Sequence, residues 1–151
     1  MTVDDRERES ARLIREGLKL GQANLWSQAE AHFWQAAQLT PNASLTWLAA
    51  AIACWNQRRF SEAADACDWA LRQAVPIRAT PQSQEGVARF EARDWAGVER
   101  AFSLLLKSPP VETPTYLFLC IAMVRQGRID EAGRHLMAAW RQELTDSEPT
   151  G

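Results

Sequence analysis

An all-α fold, a solenoid of stacked helical hairpins, is predicted by three features of this 151-residue chain. A triplet of small or apolar residues returns every 34 or 35 residues: Ala29-Phe33-Ala36, Ala63-Cys67-Ala70, Val98-Phe102-Leu105 and Ala132-Leu136-Ala139. A bulky apolar residue stands three positions before each triplet, namely Trp26, Phe60, Trp95 and Ile129. Proline follows three of the sets, as Pro41, Pro76 and the pair Pro109-Pro110. Spacings of four and three put each triplet on one helix face. A hairpin of this length cannot bury that face alone, so several must stack.

The elements follow in order. Asp4 to Glu9 place carboxylates near a helix start, where they suit its dipole. Thr40-Pro41-Asn42, Thr80-Pro81 and Thr113-Pro114 read as helix starts, with a hydroxyl able to cap and a proline that loses no hydrogen bond. Gly127 falls at the turn inside the last hairpin. In the third hairpin, Gln82, Glu85 and Arg89 stand where apolar residues are usual, so its first helix is the weakest element.

Within this period Leu13, Trp47 and Tyr116 supply a large residue early in the first helix of a hairpin. Gly17, Ala51, Gly86 and Cys120 supply a small one four positions later, and Leu20, Cys54 and Met123 an apolar one after that. The pattern resembles the tetratricopeptide repeat over most of the chain. The resemblance implies a right-handed superhelical solenoid with repeats at 10–43, 44–78, 79–112 and 113–146. Residues 1–9 would form a charged lead and 147–151 a disordered tail.

The resemblance also implies a groove lined by the first helix of each hairpin. Its residues here would be Ile14, Leu18, Leu48, Ile52, Trp55, Val87, Phe90, Leu117, Ile121 and Val124. Such an apolar lining suits an apolar peptide or an amphipathic helix. In size and surface chemistry the chain is similar to the small tetratricopeptide chaperones of type III secretion. The family's carboxylate clamp would fall on Ile14, Leu18, Ala49, Thr80 and Gln84, none of them basic, which excludes a heat-shock co-chaperone.

Trp34 and Trp69 stand where the family pattern is polar and outward, as interface tryptophans would. After Leu136, Met137, Trp140 and Leu144 no further helix is expected, so the last hairpin would expose apolar surface. These six residues form a second candidate interface, with a homodimer through the C-terminal repeat as one use. The alternative to an adaptor or chaperone is thus a structural subunit of a larger assembly.

Other classes are disfavoured. A net charge of −2 gives no reason to expect nucleic acid. Arg58, Arg59, Arg93, Arg125 and Arg128 gather at turns, without the interleaved aromatics of a strand-binding surface. No apolar run reaches membrane-spanning length and no leader is evident, so the expected location is cytoplasmic. Cys54, Cys67 and Cys120 read as reduced core residues. His32 and His135 share one position of the repeat, which speaks for packing. No catalytic residue, metal ligand or cofactor site is expected, and the chain is not expected to be an enzyme.

Overall fold

A computed structural model describes residues 1–147. Its eight helices are α1 (Val3–Gln22), α2 (Trp26–Leu39), α3 (Ser44–Asn56), α4 (Phe60–Gln73), α5 (Pro81–Glu91), α6 (Trp95–Leu105), α7 (Thr113–Arg125) and α8 (Ile129–Ser147). No strand occurs among the described residues. Consecutive helices pair into four hairpins, one for each expected repeat, with α1 starting seven residues before the first of them and α8 ending one residue after the last. The hairpins form two compact units, Met1–Ala74 and Val75–Gly151.

Two of the expected segments are corrected. Residues 1–9 are no separate lead, because Thr2 and Asp5 close a capping box that starts α1 at Val3. Ser147, expected to open the tail, is the last residue of α8, and residues 148–151 of that tail lie outside the described residues.

The helix starts are also revised. Thr80 caps α5 through a box with Ser83, and Pro81 is the first helical residue, as expected. Thr113 instead lies inside α7, whose N-cap is Glu112, and Thr40 ends α2 rather than starting α3. Thr40 accepts this role because its hydroxyl reaches the Ala36 carbonyl at 3.1 Å and meets Ser10 Oγ at 2.8 Å. Helix α5 forms despite its polar residues. Its box and proline order the first turn, and Gln82, Glu85 and Arg89 lie exposed.

One plan underlies both units. Gly17 and Gly86, Trp26 and Trp95, Glu30 and Glu99, Phe33 and Phe102, Thr46 and Thr115, Leu48 and Leu117, and Arg59 and Arg128 are each 69 positions apart. The 34-residue reading missed this longer repeat. Its core is a ring on a bare backbone: a Cβ at Gly17 would overlap the Phe33 ring, and one at Gly86 the Phe102 ring. Both phenylalanines are fully buried.

Every hairpin turns the same way. The second residue after the first helix is left-handed, with φ of 61° at Asn24, 63° at Arg58, 58° at Arg93 and 76° at Gly127. The next amide then reaches back five residues: Leu25 to Leu20, Arg59 to Cys54, Asp94 to Arg89 and Arg128 to Met123, at 2.9–3.0 Å. Asparagine and glycine tolerate this backbone, whereas arginine is strained there.

Two outcomes test this. Gly86→Ala forces α5 away from Phe102 and should lose about 1–3 kcal/mol in urea denaturation. Arg93→Gly relieves the left-handed strain and should gain about 1 kcal/mol in the same measurement.

Candidate functional site

The four-and-three spacing that buries one helix face also sets which side chains meet on the other. In the first unit the outer sides of α2, α3 and α4 bring three tryptophans together. Trp34 meets Trp47 edge to face, with centroids 5.6 Å apart and planes at 69°. Trp47 stacks on Trp69 at 5.7 Å and 24°. The Arg72 guanidinium lies over the Trp69 ring, 4.8 Å from its centroid, and pairs with Asp68 at 3.3 Å. Trp34 and Trp47 are half-buried, whereas Trp69 is 47% exposed.

Two of the three indoles are satisfied within the chain. Trp47 donates to the Pro41 carbonyl at 2.9 Å and Trp34 to Glu30 at 2.8 Å. Trp69 has no acceptor for its indole N–H among the described residues. Sequence reasoning singles out Trp34 and Trp69 but not their link through Trp47, which reads only as the large residue early in its repeat. Nothing in the linear order says that residues on three helices share one patch.

Beside this patch lies a polar lock. Glu30 also accepts from Gln57 at 2.7 Å and from Arg59 at 2.6 Å, and Arg59 pairs in turn with Glu62. Burial alone would raise the Glu30 carboxyl, but the donors from Trp34, Gln57 and Arg59 outweigh it and hold it below the usual range. The second unit repeats the lock with Glu99, Gln126, Arg128 and Glu131. Here Ser103 replaces Trp34, so Glu99 lacks the indole donor.

The lock explains part of the basic cluster. Arg59 and Arg128 are held by carboxylates, and Arg58 lies over the Phe60 ring at 5.6 Å. His32 meets the Gln28 carbonyl at 3.0 Å, and His135, whose pKa is lowered by burial, lies beside Tyr116. No disulfide joins the three buried cysteines, and burial pushes the Cys54 thiol up to about 11. Among the described residues no group of three His, Cys, Asp or Glu could hold a metal ion. No helix there is long and apolar enough to cross a membrane.

The expected groove is corrected by burial. In the first unit Ile14, Leu48 and Ile52 are 8, 1 and 4% exposed, so they are core rather than lining. In the second unit Leu117 and Ile121 are 1 and 2% exposed. Leu18 and Trp55, and separately Val87, Phe90 and Val124, are half-buried. Even these have partners of their own: Trp55 packs on Phe60 at 4.7 Å, and Phe90 on Trp95 and Phe118. A first helix that is apolar on two faces has the composition of a groove and of a core alike.

The C-terminal surface is corrected too. Leu136 and Trp140 are 0 and 7% exposed, and Met137 and Leu144 are half-buried. The hairpin α7/α8 covers them itself, so a charge at Trp140 would damage the fold rather than only separate subunits.

No family model and no curated protein matches the chain. Among solved structures it is similar to the crystal structure of MamA, with 16% identity over 91% of this chain and 80% of that one, at a TM-score of 0.48. It is also similar to a chain in the structure of Naa15/Naa10 bound to HypK-THB, with 22% identity and a TM-score of 0.48. That match covers 97% of this chain but only 22% of the other. Both scores fall below 0.5, so the hairpin assignment rests on this chain's own residues.

Glu143 on α8 provides a pH test of the α7/α8 packing. Burial raises its carboxyl above the usual range, Asp146 adds to this, and Thr113 opposes it. A raised folded-state value stabilises the protein below the unfolded value near 4.5, and this is lost as pH rises through the folded one. At pH 7 the ionised group is therefore a cost. Glu143→Gln should raise the Tm at pH 7, and the difference should shrink toward pH 4.

Proposed function

We propose that this chain is a non-catalytic protein-interaction module that docks a protein partner through the tryptophan face of its first unit. One observation carries the reading. At the positions of Trp34 and Trp69 the second unit has Ser103 and Ala138, on the same plan of hairpin, turn and lock. Helices of this kind therefore fold without tryptophan at either place. Large, costly aromatic surface kept where the fold does not require it fits an interface anchor.

The face suits a partner that offers apolar surface and a hydrogen-bond acceptor. The Trp69 ring edge supplies contact area and its indole N–H a donor. Arg72, already over the ring, can turn toward a carbonyl or carboxylate. This reading favours a fixed subunit or scaffold contact over a chaperone groove, because half of the groove side chains are buried and the rest are half-buried.

The second unit supplies the control. Trp34→Ser with Trp69→Ala copies residues that the same plan already carries, so the variant should keep its helical circular dichroism. Proteins retained by the immobilised wild type should be lost from the variant, and a purified partner should bind it at least about 30-fold more weakly. An unchanged set of partners and unchanged affinity would rule out this face.

A further inference from the structure

We infer that the outer side of the second unit is a further docking surface, which takes an acidic protein segment on Arg100, Lys107, Arg134 and Arg141. The inference goes beyond the docking role proposed above and does not depend on it. Arg100 lies on α6, and Lys107 follows in the turn that continues it. Arg134 and Arg141 lie on α8. Seven residues separate the members of each pair, so each pair stands on one side of its helix, roughly 10 Å apart along it. All four residues are exposed.

Arginine elsewhere in this chain often has a carboxylate of its own. Arg8, Arg12, Arg59, Arg72, Arg89 and Arg128 are all ion-paired. Among the described residues the four bases of this surface make no ion pair and no side-chain hydrogen bond. The nearby acids are engaged or placed elsewhere. Glu99 and Glu131 are held by Arg128. Glu143 and Asp146 fall on other sides of α8 by the helical period. Asp130, one turn before Arg134, forms no ion pair with it. An acidic partner docked here displaces no carboxylate of the chain itself.

The first unit shows that the fold does not require this charge. At the same places of the common plan it has Ala31, Gln38, Asp65 and Arg72. Where Trp34 and Trp69 stand beside Trp47, the second unit has Ser103 and Ala138 beside Tyr116. Helix α7 packs on both α6 and α8, and its Tyr116 lies 6.4 Å from His135 of α8. Small side chains between the two basic pairs leave room for a partner's backbone. Acids three apart on an extended segment, or seven apart on a helix, match the spacing within each pair. Tyr116 is half-buried, so the ring between the bases is not open for nucleotide stacking.

Fluorescence anisotropy with a labelled oligoglutamate peptide tests this on the full chain. At about 20 mM salt the wild type should bind with a Kd below about 1 mM, and about 300 mM salt should weaken it at least tenfold. Arg134→Glu/Arg141→Glu and Arg100→Glu/Lys107→Glu should each weaken it at least about tenfold. Arg15→Glu/Lys19→Glu reverses two exposed charges on α1 and changes the net charge equally, so it should weaken binding less than about twofold. Trp34→Ser/Trp69→Ala should bind oligoglutamate as the wild type does. Circular dichroism confirms that each variant is folded.

A wild type that fails to bind overturns the inference. So does an equal loss from the Arg15/Lys19 variant, which would reduce the attraction to net charge. An oligothymidylate strand that binds more tightly than oligoglutamate, and loses its affinity with the same four residues, overturns it in favour of nucleic acid. Loss of oligoglutamate binding in the Trp34/Trp69 variant would move the site to the first unit and overturn it as well. The docking role of the tryptophan face is read separately, from the proteins that this variant fails to retain.

Discussion

A phenylalanine ring lying on the bare backbone of a glycine sets the geometry on which both units depend. Phe33 on Gly17 and Phe102 on Gly86 bring two helices closer than any side chain at the glycine would permit. Small residues accompany the ring at that crossing, with Ala29, Ala36 and Ala37 beside Phe33 on the buried side of α2. The left-handed residue and the five-residue return are common to all four hairpins, including α3/α4 and α7/α8, where no glycine meets a phenylalanine.

The polar lock adds direction to this packing. Apolar contact between helices is tolerant of small slips, whereas a carboxylate held by named donors is not. Glu30 and Glu99 reach from the second helix of one hairpin to the turn of the next, so they fix the register between hairpins within a unit. Most of the turn arginines that could have formed a basic surface are used for this or lie on aromatic rings. Charge at the turns thus mainly serves local order.

Repetition then separates what the fold needs from what it merely carries. Residues common to both units are ring, glycine, lock and turn. Residues that differ include Trp34 and Trp69, and the first unit's extra aromatics meet Trp47 to make a patch spanning three helices. A structural cost without a structural requirement is the mark of a surface kept for contact.

The linear order alone determined the all-α class, four hairpins and most of the core triplets, because helical periodicity is a local property of the chain. It also singled out Trp34 and Trp69, since a large aromatic at an outward position is visible without neighbours. Which apolar residues stay open was decided only in three dimensions. Ile52 and Trp55 differ little as letters, yet one is core and the other half-open, because exposure depends on which helix covers each side. Leu136 and Trp140 read as an uncapped end, and α7 with α8 encloses them. Trp47 reads only as the large residue of its repeat, and it bridges the aromatic patch. Burial and side-chain adjacency arise between elements distant in sequence, so tertiary packing alone could settle them.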